Sequence, residues 1–179
     1  LSMAFMTAIA ILHLYFRLSG TEAWLMRFSA MKKSKAVSAF FILLVIQILY
    51  GAFVAGIRAG YFYNQWPLMG TGYIPPGLNS KNGIFENLFA NPVTLQFIHR
   101  NLALLLLGLG VYLAVREIQR KSERHIQLFW SGLAGIVSLQ FLFGVLTLIW
   151  GVPLFLGVVH QSVAYILILY TYSGWYFSN

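Results

Sequence analysis

Two histidines occupy matching positions in the sequence, and their side chains are the best candidates for chemistry. His99 lies seven residues after Pro92, and His160 lies seven residues after Pro153. Each proline opens an apolar stretch, where proline in a first helical turn loses no hydrogen bond. At about 1.5 Å per residue, both histidines would lie roughly 10 Å below the start of their helices. Two neutral imidazoles at equal depth could ligate one metal ion.

The stretches that carry these histidines belong to five apolar blocks. Hydrophobic residues make up 59% of the chain and charged residues 9%, compared with roughly 25% charged residues in soluble domains. Each block has about 18 to 25 residues, enough to cross a hydrocarbon core of about 30 Å. The sequence therefore predicts an all-α, polytopic helix bundle in a lipid bilayer, with five candidate spans. The blocks are residues 1–18, 37–57, 93–115, 127–150 and 153–177.

The net charge of +8 comes from basic clusters between the blocks, a pattern that does not suggest a nucleic-acid partner. By the positive-inside rule, the first and third connections face the cytoplasm or matrix, and the long second connection (residues 58–92) faces outside. Both histidines would then lie toward the outer side. Without cysteine, thiolate metal sites are excluded. The two clusters comprise Arg17, Arg27, Lys32, Lys33 and Lys35, and Arg116, Arg120, Lys121 and Arg124.

The helix before each histidine helix carries the same short pattern, Gln-x3-Gly. It occurs at Gln47 and Gly51 in the second block, and at Gln140 and Gly144 in the fourth. In both cases an outer connection follows and then the proline-led helix. The chain therefore looks like a duplicated helix pair, in which two histidines could face one another.

Ionisable residues inside membrane spans are costly, so the histidine pair is a functional candidate by default. Paired imidazoles in an apolar bundle suit the axial positions of heme iron. Zinc would require three or four ligands, and no span offers a carboxylate. The alternative is that both histidines only hydrogen-bond to neighbouring helices. His13 and His125 lie at other depths, and we interpret them as structural.

Two arginines are candidate partners for anionic heme propionates. Arg100 follows His99 directly, and Arg58 lies at the outer end of the second block. The alternatives are an interfacial cation for Arg58 and a helix–helix hydrogen bond for Arg100. The second ring nitrogen of each histidine is expected to donate to the carbonyl one turn earlier, of Leu95 or Leu156, which would fix the ligating tautomer.

From about residue 40 to 165, a run of motifs occurs in an order that is typical of one family. The sequence resembles the heme A synthase family in these motifs: Gly51-Ala-Phe-Val-Ala-Gly56-Ile-Arg58-Ala-Gly60, Tyr63-Asn64-Gln65-Trp66-Pro67-Leu68-Met69, Glu86-Asn87, Gln96-Phe97-Ile98-His99-Arg100, Gly151-Val152-Pro153 and His160-Gln161.

The resemblance implies an eight-helix fold built from two similar four-helix halves. Residues 37–179 would form the C-terminal, four-helix heme b-binding bundle, with the outer loop at 58–92. Residues 1–36 would be the end of a preceding helix and its basic connection. His99 and His160 match the family's heme b ligands. The chain starts at Leu1 instead of methionine, so we expect further sequence upstream.

The resemblance also implies heme A biosynthesis, in which the C8 methyl of heme O is oxidised to a formyl group with water-derived oxygen. The family assigns that oxidation to its N-terminal half, so no catalytic residue is expected here, and heme b would accept the electrons. The family has aspartate where this chain has Ile98.

The partners implied are heme O, heme O synthase and the cytochrome oxidase assembly machinery, and homo-oligomers are left open. A bacterial plasma membrane is favoured over the mitochondrial inner membrane. The alternative function is a membrane b-type cytochrome subunit that transfers electrons without substrate chemistry.

Overall fold

The computed structural model describes residues 2–19, 34–78 and 83–178, and most of these residues are helical. Most of the predicted basic connection within residues 1–36, including Arg27, Lys32 and Lys33, lies outside the described residues. The α-helices are α1 (Ser2–Leu18), α2 (Lys35–Gly56), α3 (Ile84–Phe89), α4 (Pro92–Gln119), α5 (Arg124–Ile149) and α6 (Leu154–Ser178), and a short 3-10 helix spans Ala59–Tyr61.

Four of these helices, α2, α4, α5 and α6, are long and apolar enough to cross a membrane, which confirms four of the predicted spans. The first predicted block forms α1, a shorter apolar helix of 17 residues. At about 1.5 Å per residue α1 is about 25 Å long, less than the hydrocarbon core. The proline-led start is also confirmed for α4, where Asn91 caps the helix and Pro92 occupies its first turn.

The four long helices form a ring in which α2 and α5 each pack against both α4 and α6. The connections from α4 to α5 and from α5 to α6 are short, so successive helices run antiparallel. His99 on α4 and His160 on α6 therefore lie on diagonally opposite helices, which face each other across the axis of the bundle.

The inner half of the bundle is filled by apolar side chains, whereas the outer half is open. Burying large side chains contributes about 1.5–3 kcal/mol each in a soluble protein, and in a membrane the same close packing holds the helices together by contact. Buried apolar side chains toward the inner ends of the helices include Phe40, Leu113, Trp130, Leu133 and Ile168. The space for a ligand lies in the outer half.

Candidate functional site

A cavity of about 670 Å³ lies among the outer halves of α2, α4, α5 and α6. Its volume is within the range of roughly 300–1,000 Å³ that is usual for cofactor sites. The side chains of His99 and His160 both line it. The structure thus brings the two predicted ligand residues to one cavity from opposite helices, although their role as ligands stays a prediction.

The two helix pairs contribute equivalent residues to the cavity wall. Counted from each Gln-x3-Gly motif, the α2 residues match those of α5, and counted from each histidine, the α4 residues match those of α6. The sequence repeat is therefore also a repeat of the cavity lining. The matching pairs are Leu44 and Val137, Ile48 and Phe141, Gly51 and Gly144, Ala103 and Ala164, and Leu106 and Leu167.

His160 is held by the neighbouring helix α5. Its Nδ1 lies 3.1 Å from the backbone carbonyl oxygen of Gln140, and its Nε2 lies 3.2 Å from the side-chain amide nitrogen of the same residue. Because the carbonyl can only accept, the ring carries its proton on Nδ1 and keeps a lone pair on Nε2. The tautomer suits a metal ligand.

The carbonyls one turn earlier on the same helix are therefore not the partners, which corrects the prediction for Leu95 and Leu156. A regular helix already uses such a carbonyl for the backbone N–H four residues later. In the first repeat, Gln47 Nε2 donates to the His99 carbonyl at 3.1 Å, and no described hydrogen bond joins the His99 ring to Leu95.

Both imidazoles lie against glycine. A Cβ atom at Gly51 would lie 3.0 Å from His99 Cε1, and a Cβ atom at Gly144 would lie 2.9 Å from His160 Cε1. The sequence reading used the Gln-x3-Gly pattern only as a sign of duplication and missed this contact. The signal that could have revealed it is that the glycine and the histidine recur together in both repeats.

Arg100 fastens the outer loop to α4. Its side chain is 7% exposed, and it donates from Nη1 to the carbonyls of Gln65 (2.9 Å) and Leu68 (3.2 Å) and from Nη2 to that of Tyr63 (2.5 Å). Gln96, one turn earlier, also donates to the Tyr63 carbonyl, at 3.0 Å. The partners of Arg100 are therefore loop carbonyls, whereas the alternative considered from the sequence was a helix–helix hydrogen bond.

The same loop segment is fastened to α5 on its other side. Asn64 donates its Nδ2 to the carbonyl of Leu148 at 3.0 Å, and the ring of Trp66 packs edge-on against Phe141 at 5.4 Å between centroids. Trp66 and Phe141 also line the cavity. Residues 63–68 thus cover the cavity between α4 and α5.

Arg58 lines the cavity in a strained backbone conformation. Its φ of 56° and ψ of 33° are left-handed, a conformation that costs roughly 1–2 kcal/mol for a residue with a Cβ. The equivalent residue of the second repeat is Gly151, with φ of 72°. The side chain is exposed and has no hydrogen-bond or ion-pair partner among the described residues.

The cavity wall combines apolar surface with two cations. Within the described residues, Arg58 and Arg100 line it and no aspartate or glutamate does. The equivalent of Arg100 in the second repeat is the uncharged Gln161. No cluster of three or more histidine, cysteine or carboxylate side chains occurs in the described part of the chain.

Two neutral imidazoles, apolar walls and a cationic rim fit a flat, anionic macrocycle whose iron takes two axial ligands. Buried acceptor atoms without a partner among the described residues add polar contacts for a ligand or water. They are the side-chain oxygens of Gln47, Gln96 and Gln140.

The other two histidines lie outside this cavity. His13 Nδ1 is 2.7 Å from the hydroxyl of Tyr172, and its ring meets Tyr176 edge-on, where α1 packs on α6. His125 lies at the inner end of α5, with its Nδ1 3.5 Å from Glu123. These contacts agree with the structural interpretation of both residues.

The chain is similar to several bacterial proteins. It is 36% identical to the heme A synthase of Bartonella henselae over 137 residues, which is 75% of this chain and 37% of that protein. It is 40% identical to the heme A synthase of a Wolbachia of Brugia malayi over 131 residues (73% and 37%), and 37% identical to that of Flavobacterium psychrophilum over 131 residues (72% and 39%). The chain thus spans about two fifths of the length of these relatives. No solved structure matches it.

Four apolar helices and bacterial relatives together indicate an integral membrane protein of a bacterium. The sequence also matches a family described as cytochrome oxidase assembly protein, over residues 1–172. This match covers nearly the whole chain and agrees with the resemblance drawn from the motifs. The chain therefore belongs to the COX15-CtaA family of cytochrome oxidase assembly proteins.

Proposed function

We propose that this bundle binds one heme b, with His99 and His160 as its axial ligands, and that the heme accepts electrons during heme A synthesis. The observation that carries the proposal is the shared cavity, which two histidines line from diagonally opposite helices. Relatives named heme A synthase support the pathway. We assign oxidation of the C8 methyl of heme O to the formyl, with water-derived oxygen, to parts of those proteins beyond the matched two fifths.

The chain's own residues prepare the site for such a group. Bound heme would supply a centre that takes up and releases one electron. The hydrogen bond from His160 Nδ1 to the Gln140 carbonyl makes the opposite nitrogen a better donor to a metal. Apolar side chains and the covering loop would keep water away from the bound group, which would help to set its redox potential.

Arg58 and Arg100 are the proposed partners of the two propionates, toward the outer side of the membrane. Arg58 has no partner among the described residues, and it lies at the cavity rim. Arg100 already donates from both terminal nitrogens, but its Nε is buried without a partner in the described chain. Its charge meets only carbonyl dipoles there, so an anion nearby would be stabilised.

Replacing Arg58 by glycine separates the effect of its backbone strain from the effect of its side-chain charge. Since glycine adopts the left-handed conformation freely, the free energy of unfolding in detergent is expected to stay unchanged or rise by about 1 kcal/mol. Affinity for hemin is expected to fall about tenfold because a charge-assisted hydrogen bond is lost. Titration with hemin measures the affinity, and Arg58→Lys, which keeps the charge, is the matched control.

The dimethyl ester of hemin lacks the propionate charges, so wild type and Arg58→Gly should bind the ester equally well. Equal affinity of both proteins for hemin itself would remove Arg58 from the propionate site.

The proposal is tested by the reduced-minus-oxidised visible spectrum of the purified chain, expressed with ample heme. The expected result is a low-spin b-type spectrum with about one heme b per chain. A colourless, folded protein that also fails to take up hemin would contradict the proposal and favour histidines that only join helices.

A second candidate is a b-type cytochrome subunit that only transfers electrons. The same pair of histidines on diagonally opposite helices would suit it equally well. Expressing the chain within its full-length protein, with heme O and its synthase supplied, distinguishes the two. Formation of heme A supports the synthase, whereas heme b without heme A supports the cytochrome. The same proposal includes three partners of the full-length protein. They are heme O synthase, the cytochrome oxidase assembly machinery and a second copy of the protein.

A further inference from the structure

We propose that the glycine of each Gln-x3-Gly turn orients the histidine of the next long helix. Gly51 would position His99, and Gly144 would position His160. The inference deepens the proposed function and rests on it. It assigns a task to a motif that otherwise only marks the repeat.

The geometry of the second repeat shows how a glycine can orient the imidazole. In a regular helix the backbone N–H of Gly144 bonds to the carbonyl of Gln140, four residues earlier. The same carbonyl accepts from Nδ1 of His160 through its second lone pair. A Cβ at position 144 would lie 2.9 Å from the ring, where the ring approaches that carbonyl. The missing side chain is therefore what lets the imidazole reach its acceptor.

The first repeat has the same contact between glycine and imidazole, but its glutamine is bonded differently. A Cβ at position 51 would lie 3.0 Å from the His99 ring, and Gln47 holds the backbone of the histidine through its side-chain amide. Both helix pairs thus place a histidine ring on a bare glycine one turn after glutamine. Recurrence of the contact between glycine and the ring argues against chance packing.

The atom that a new methyl group would meet belongs to a histidine ring, which can turn away, and not to a rigid backbone. Alanine at position 51 or 144 should therefore leave the fold intact and displace the histidine ring. Other glycines serve as controls: a Cβ at Gly56 on α2 or Gly135 on α5 meets nothing within 4 Å.

The experiment compares Gly51→Ala and Gly144→Ala with Gly56→Ala and Gly135→Ala, each purified and titrated with hemin. We expect the first two to bind hemin at least tenfold more weakly, or to shift most of the bound ferric heme from low to high spin in electron paramagnetic resonance. The two controls should match wild type. Circular dichroism and thermal unfolding report whether each variant keeps its helices.

A double-variant cycle shows whether the glycine acts through the ring. In a His160→Ala background, Gly144→Ala should not weaken hemin binding and should not lower the unfolding temperature, because the ring it would displace is gone and alanine favours the helix. An equal loss of stability in both backgrounds would overturn the inference in favour of simple helix packing, and this holds even if Gly144→Ala folds poorly on its own.

Failure of the inference is distinguishable from failure of the proposed function. If wild type binds no heme, the proposed function fails. If wild type gives the low-spin spectrum and both Gly51→Ala and Gly144→Ala give the same spectrum and affinity, the positioning role of the glycines is contradicted. The proposed heme site is then unaffected.

Discussion

Alanine in place of His99 or of His160 is expected to abolish the low-spin heme spectrum, leaving less than about a tenth of the wild-type signal. Low-spin iron requires two strong axial ligands, and each substitution removes one of them. Hemin that still binds should be high-spin, because a single imidazole remains. Visible and electron paramagnetic resonance spectra of the purified variants measure this change.

The matched controls are His13→Ala and His125→Ala, whose rings contact Tyr172 and Glu123 outside the cavity. Both controls should keep the wild-type spectrum. A low-spin spectrum that survives in either His99→Ala or His160→Ala would contradict the paired assignment and require another ligand.

Arg100→Ala is expected to release the outer loop from α4. The substitution removes three hydrogen bonds from a charged donor and leaves the carbonyls of Gln65 and Leu68 without this partner, whereas that of Tyr63 keeps its bond from Gln96. Such bonds contribute about 1.5–3 kcal/mol each when buried, and water replaces part of that at the rim, so we expect a loss of about 2–4 kcal/mol. Hydrogen exchange of the amides in this segment and unfolding in detergent measure the effect.

Arg100→Lys separates charge from anchoring, because lysine keeps the positive charge but lacks the planar fork that reaches several carbonyls. It should free the loop nearly as much as alanine does while retaining more of the affinity for hemin. Arg124→Ala, at the exposed inner end of α5, is the control for loss of a cation. Unchanged exchange in Arg100→Ala would mean that Gln96 and Asn64 hold the loop without it.

The helices and the histidine pair could be predicted from the sequence because both depend on local pattern. Apolar blocks of sufficient length mark spans, and Pro92 and Pro153 set the register that places His99 and His160 at equal depth. These features involve residues close in sequence, so periodicity and spacing reveal them.

The contacts that hold the site could not be predicted in the same way. The acceptor of the His160 ring is a backbone carbonyl on another helix, and any residue type offers such a carbonyl. Arg100 donates to carbonyls more than 30 residues earlier in the chain, at positions whose side chains carry no matching signal. Residue types in the sequence indicate the charge and size of side chains, but they do not indicate which backbone oxygen lies within hydrogen-bonding distance.

The repeated lining of the cavity bears on which way round a ligand can sit. A chamber with true two-fold symmetry would accept a flat macrocycle equally well in two poses related by a half-turn. Here Arg58 and Arg100 both come from the first helix pair, and the second pair has Gly151 and Gln161 in their places. The unequal charge makes the two poses unequal in energy, so an anionic macrocycle bound there would prefer the pose with its acidic edge toward the first pair.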